Sequence, residues 1–272
     1  MLFLPIFLFL LGLIVGSFLN VLGLRWNSGV GIGGRSFCVV CSKSLKWWEL
    51  VPVVSFVGLG GRCSACKTKI SWQYPLVELW TGLLFLSAYW SLSSSFYFYD
   101  PIGFLAWLLV TAVFSIFVVI TIYDLKHKII PNSLVYASIL ISLVFRLMIG
   151  GGMLDFLIGP ILFIFFGLIW FITRGRAMGL GDAKLSLAIG LLLGAPMGLS
   201  AFVLAFWIGS VFAISLMLLA RLMKKSDKSF LGRAKKLTIK SEIPFAPFLV
   251  LGAWASLIFH FDLLHVLAFI NL

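Results

Sequence analysis

Acidic residues are scarce in this chain, with nine Asp and Glu against 21 Lys and Arg among 272 residues. Charged residues of both signs together make up only 11%, whereas soluble domains carry about 25%. That shortage excludes an ordinary soluble domain. Alternating apolar and polar runs are also missing, which excludes the strands of a membrane barrel and leaves helices as the spanning elements, since each satisfies its own backbone in lipid. The first apolar run lacks a basic flank and a small-residue cleavage site, so it is expected to be a retained helix rather than a signal peptide.

What is abundant is apolar: 62% of the residues are hydrophobic and the mean hydropathy is +1.14. Crossing the hydrocarbon core takes about 20 mainly apolar residues, and eight runs qualify as candidates: 1–24, 74–92, 101–123, 129–149, 153–172, 183–197, 198–222 and 244–270. The expected fold class is an all-α polytopic membrane protein of about eight transmembrane helices. Its expected divisions are a first helix (1–24), a hydrophilic insertion (25–73) and a seven-helix body (74–272).

A net charge of +12 raises the question of a nucleic-acid partner, but its distribution points to membrane orientation instead. Segments 25–73, 124–128, 173–184 and 221–243 hold 7, 2, 3 and 8 of the 21 basic residues, and only Arg146 falls in the opposite set of loops. The positive-inside rule therefore puts these four segments in the cytoplasm and both termini outside. The 221–242 loop reads as a solvated, lipid-facing segment. His127, His260 and His265 read as interfacial residues, and Gly29 to Gly34 as a flexible linker.

All four cysteines lie in the insertion, as Cys38-Val39-Val40-Cys41 and Cys63-Ser64-Ala65-Cys66. Two such knuckles present four thiolates to one metal and complete the tetrahedral shell that zinc prefers. A filled shell leaves no open position, so the zinc is expected to be structural. A reducing cytoplasm disfavours disulfides. Between the knuckles, residues 50–59 are apolar but too short to span, and are expected to pack around the zinc or to lie in the membrane interface.

A few polar residues sit at membrane edges. Asn20 and Arg25 end the first run, and Glu78 follows Tyr74-Pro75-Leu76-Val77 about one turn into the second. Asn20 suits helix–helix contacts, Arg25 an orientation anchor and Glu78 a helix-dipole partner; a polar patch facing a substrate is the functional alternative. Asp124 ends the third run. Asp182 follows Gly179-Leu180-Gly181 at the start of the sixth and suits a helix cap. By the orientation above, both acids reach the same depth on the cytoplasmic side.

A carboxylate near hydrocarbon is costly and marks a functional site by default. Two in one cavity share a proton, an arrangement suited to peptide hydrolysis. Gly179 and Gly181 would let backbone approach an extended peptide, and Lys184 reads as an anchor. Glu242-Ile243-Pro244-Phe245-Ala246-Pro247-Phe248 breaks regular helix at the membrane edge, as backbone lining a cavity does. A proton- or cation-coupled transporter is the competing class, though no inverted repeat is evident. A scaffold with a zinc docking module would leave the two acids unexplained.

Taken in order, residues 16–25, the cysteine knuckles, residues 74–78, Asp124 with Ile130-Pro131-Asn132, residues 179–185 and residues 244–248 resemble the bacterial type IV prepilin peptidases along nearly the whole chain. The resemblance implies an aspartic endopeptidase with Asp124 and Asp182 as its catalytic pair. It would remove the basic leader of type IV prepilins and pseudopilins at the cytoplasmic face of the bacterial inner membrane. It also implies methylation of the new amino terminus from S-adenosylmethionine, and zinc ligation by Cys38, Cys41, Cys63 and Cys66. Asn20, Arg25, Glu78, Gly179, Gly181, Lys184 and Glu242 would bind or support the substrate. Two positions depart from the family pattern: Leu22-Gly23-Leu24 lacks the usual aromatic or His, and Ala246 stands where Gly is usual. Both departures are expected to lie away from the aspartates.

Overall fold

A computed structural model describes residues 3–27, 29, 31, 33–93, 98–176, 178–226 and 244–260. In chain order the helices are α1 (Phe3–Arg25), α2 (Val54–Gly58), α3 (Gln73–Ser93), α4 (Pro101–His127), α5 (Asn132–Ile149), α6 (Met153–Thr173), α7 (Leu180–Leu193), α8 (Ala195–Ser226) and α9 (Ala246–Phe259), with a 3-10 turn at Trp47–Leu50. Among the described residues there is no named strand, only two isolated bridges. Five helices, α1, α4, α5, α6 and the 195–218 part of α8, are long and apolar enough to cross a membrane. The protein is an all-α, multi-pass membrane protein.

The core gathers on α4. Val110, Val113, Phe114, Phe117, Val118, Val119 and Ile120 are essentially inaccessible, because α1, α3, α5 and α9 all pack around this helix. The outer helices turn apolar side chains outward instead, among them Ile14, Ile161, Phe165, Trp207 and Val211. Lipid is as apolar as leucine, so helix association there rests on close packing of small residues and on polar contacts. Gly159 and Gly190 provide the clearest example: a Cβ on Gly190 would lie 2.6 Å from the Gly159 Cα, so α6 and α7 touch backbone to backbone.

Three boundaries of α4 and α7 differ from the sequence expectation. The helix expected to end at residue 123 continues to His127 and stops at Lys128, whose left-handed backbone donates its N–H to the Asp124 carbonyl at 2.7 Å. Asp124 is therefore inside α4. The sixth run begins three residues earlier than expected, with Gly179 as N-cap and Asp182 as the third helical residue rather than the cap. It also ends earlier, at Gly194 rather than Met197.

That last boundary comes from a distant residue. Buried Arg146 on α5 donates from Nε to the Leu191 carbonyl and from Nη2 to the Leu192 carbonyl, both at 3.0 Å. Asp155 on α6 accepts the Ala195 N–H at 2.8 Å and the Gly152 N–H at 3.0 Å. Hydrogen bonds to charged groups contribute about 1.5–3 kcal/mol each, against roughly 1 kcal/mol for a helical glycine. α7 runs through Gly190 without a break but stops where Arg146 takes its carbonyls. The far end of the helix that carries Asp182 is thereby fixed.

Candidate active site

Asp124 lies one turn before the end of α4, and Asp182 in the first turn of α7. The two residues are 5% and 8% exposed, and their carboxyls interact electrostatically. Their helices meet mainly through α5 and α9, each of which packs against both. Both carboxyls lie against backbone. The Gly179 N–H donates to Asp182 Oδ2 at 3.3 Å, the side chain reaching back to the helix cap as an N3 carboxylate does. The Ala246 backbone lies beside the Asp124 carboxyl, and Asp124 Oδ2 is buried with no partner.

The Ala246 contact corrects one expectation. Ala246 was expected to lie away from the aspartates, yet its backbone amide lies beside one of them, because the Pro244–Pro247 break starts α9 near Asp124 with Pro247 in its first turn. The Gly23 region also comes close. A Cβ on Gly23 would fall 2.8 Å from Ile122 Cγ2, two residues from Asp124 along α4.

Around the pair, the Ile130-Pro131-Asn132 turn braces the start of α7. A Cβ on Gly181 would lie 2.8 Å from Ile130 Cβ, so the absent side chain makes room for Ile130 rather than for an approaching peptide. Lys184 Nζ donates to Asn132 Oδ1 at 2.9 Å and to the Tyr136 hydroxyl at 3.2 Å, and sits 5.2 Å from the centre of the Tyr136 ring. These contacts anchor the first turn of α7 to that of α5. His127 stacks on Tyr123 with centroids 4.4 Å apart. Glu242 and His265 fall outside the described residues.

Asn20, Arg25 and Glu78 form a separate group where α1 and α3 meet the insertion. Asn20 Nδ2 donates to the Gly16 and Tyr74 carbonyls at 3.3 and 3.2 Å. Arg25 Nη1 donates to the Gly31 carbonyl at 3.1 Å and its guanidinium lies 5.6 Å from the Phe37 ring centre. Glu78 is buried, accepting the Val53 N–H at 2.8 Å.

The four cysteine Sγ atoms lie within 4.8 Å of one another, with Cys38 and Cys66 at 3.8 Å. The two knuckles repeat one another. In each, the first cysteine donates its N–H five residues ahead, to the carbonyl of Lys43 or Thr68, and the residue after the second cysteine, Ser42 or Lys67, adopts a left-handed conformation. Zinc–sulfur bonds of about 2.3 Å put tetrahedral sulfurs about 3.8 Å apart, so the cluster fits a four-thiolate metal site.

Glu49 joins the knuckles from behind. It accepts Lys43 Nζ at 2.9 Å, the Lys46 N–H at 2.8 Å and the Ser64 hydroxyl, and Lys43 also donates to Ser64 at 2.6 Å. The Lys46 amide above all, with Ser64 and Lys43, holds the Glu49 carboxyl down at about 2. Sequence reasoning missed Lys43, Glu49 and Ser64, as it missed the Ala246 amide. Only the adjacency of Lys43 and Ser64 to ligands marks them.

Residues 10–92 match the bacterial peptidase A24 N-terminal domain and residues 104–214 match the type IV leader peptidase family. The prepilin leader peptidase/N-methyltransferase of Bacillus subtilis is 30% identical over 252 residues, covering 90% of each chain. The chain belongs to the type IV leader peptidase family. Proteins of the same name from Myxococcus xanthus and Pseudomonas aeruginosa are 35% identical over 222 residues (79% of this chain, 63% of that protein) and 27% identical over 281 residues (92% and 88%). No solved structure matches the chain. Within the family matches, Asn20, Arg25, Glu78 and the four cysteines fall in the N-terminal domain, whereas Asp124 and Asp182 fall in the peptidase segment.

Proposed function

We propose that this protein cuts the leader from type IV prepilins and pseudopilins with Asp124 and Asp182, and methylates the amino terminus that cleavage exposes. The observation that carries the reading is the pair of buried, mutually interacting carboxyls on two different helices. The relatives' shared name supports both activities.

The pair holds one proton between them. The ionised member takes a proton from water, whose oxygen attacks the scissile carbonyl. The protonated member hydrogen-bonds the developing oxyanion, and a proton passes to the leaving amine as the C–N bond breaks. The Gly179 amide holds the Asp182 carboxyl, and the Ala246 backbone lies beside that of Asp124. The basic loops support a cytoplasmic site with the amino terminus outside, and the family supports the bacterial inner membrane as its location. A prepilin's apolar helix would stay in the bilayer while its basic leader meets the acids.

Zinc on Cys38, Cys41, Cys63 and Cys66 has a structural role in this account, holding the insertion 25–73 between the first helix (1–24) and the peptidase body (74–272). S-adenosylmethionine, when bound, supplies the methyl group. At the cytoplasmic mouth of α1 and α3, Asn20 Oδ1, Trp26 Nε1 and Gln73 Nε2 are buried without partners. One acceptor and two donors suit a polar donor molecule there.

Purified protein in liposomes, given a synthetic prepilin and labelled donor, is expected to release the leader and transfer the methyl group. Proton-coupled flux without any cleavage would overturn the peptidase reading in favour of transport. Cleavage without methyl transfer would overturn the second activity alone.

A further inference from the structure

The insertion turns a set of large apolar side chains outward, and their position relative to α3 indicates what covers them. Trp47 is 75% exposed, Val54 66%, Val57 71% and Trp72 70%, with Trp48 and Val51 also exposed. In water this would be an unusual concentration of apolar surface on a small module.

A hydrogen bond ties these side chains to the second turn of α3. Val53 has φ +60° and ψ −49°, and the Val54 N–H donates to the Pro52 carbonyl at 2.6 Å, which is the rare, strained form of the γ-turn. The turn aims the Val53 N–H at Glu78, a buried residue in the second turn of α3. Strain of this kind costs about 1–3 kcal/mol. The bond to a buried carboxyl is of comparable size, about 1.5–3 kcal/mol, and offsets it. α2 follows directly from the turn, and Phe56 packs on Trp72 with ring centroids 4.9 Å apart.

Trp72 begins a stripe that continues down α3. Leu76, Leu79 and Leu83 are exposed at successive turns of the same face, the spacing of a single helical stripe. The apolar surface of α2 thus passes into the outward apolar stripe of α3. Lys46 lies 4.8 Å from the ring centre of Trp48, and residues 25–73 hold seven Lys and Arg against a single acid, Glu49. Amphipathic rings beside basic side chains are characteristic of the headgroup region, where anionic lipid attracts such segments.

We propose that the Trp47–Leu50 turn, α2 and Trp72 form a lipid-docking surface inserted into the leaflet at the α1–α3 mouth. The insertion lies on the membrane rather than standing clear of it. The alternatives, a prepilin or a second copy of this chain occupying the same surface, are decided by the test.

A photoreactive p-benzoylphenylalanine replaces Val54 or Val57 in the full-length, zinc-loaded protein in nanodiscs containing anionic lipid. Val211→p-benzoylphenylalanine on the outward face of α8 serves as the reference. The expected result at positions 54 and 57 is a lipid adduct as the major product, as at position 211, unchanged by added prepilin. An adduct mainly to prepilin, an adduct to a second copy, or no lipid adduct would each overturn the proposal. Prepilin cleavage measured on the same samples reports folding and the peptidase reading separately from the lipid contact.

Discussion

Asp124→Asn and Asp182→Asn each lower prepilin cleavage by roughly 10²–10⁴-fold, the usual contribution of a positioned general acid or base, with little change in KM. The amide keeps the shape of the carboxyl, and a neutral amide is easier to bury than a charge, so the loss reports chemistry rather than folding. Asp182→Asn can still accept from the Gly179 N–H through its carbonyl oxygen. Neither variant can take a proton from water. Retention of full cleavage in either, measured as leader release by the reconstituted protein, removes the pair from the mechanism.

The second large effect lies in the insertion. Between α1 and α3, the only buried residues among those described are Glu49 and Cys63. Such a segment has almost no hydrophobic core, and natural domains below about 70 residues commonly add metal or disulfides to hold their fold. Structural zinc contributes about 10–16 kcal/mol in small peptides, far more than any packing seen there. Cys63→Ser is therefore expected to abolish stoichiometric zinc and to expose residues 25–73 to limited proteolysis, while the helical body stays intact. Glu49→Gln weakens the clamp on Lys43 and Ser64 but leaves the ligands, so zinc affinity should fall about 10–100-fold, as for other groups that orient metal ligands. Metal analysis and competition with a chelator measure both; unchanged zinc in Cys63→Ser would contradict the four-thiolate site.

The sequence revealed the membrane-spanning class, the basic asymmetry and the two knuckles because each is a local signal: run length, charge per segment and cysteine spacing. The two acids were also legible, since a carboxyl at the edge of an apolar run stands out wherever it lies. What brings them together was not. The bundle helices are apolar on nearly every side, so the buried face of α4 and the lipid face of α6 read alike and no periodicity says which helices adjoin. The end of α7 at Gly194 depends on Arg146 and Asp155, 48 and 39 residues upstream. The Ala246 contact with Asp124 runs through a backbone amide, to which side-chain identity gives no clue. Gly181 looked like room for a peptide and instead accommodates Ile130.

In the proposed mechanism Asp124 and Asp182 act as one unit. Groups that act together are grossly non-additive, one loss doing most of the damage that both can do. Cleavage by the double variant Asp124→Asn/Asp182→Asn, measured beside the two single variants on the same prepilin, tests this directly. If the account is right, the double variant is about as slow as the slower single one. Losses that multiply, so that the double variant falls by the product of the two separate effects, would show two independent carboxyls and contradict a shared site.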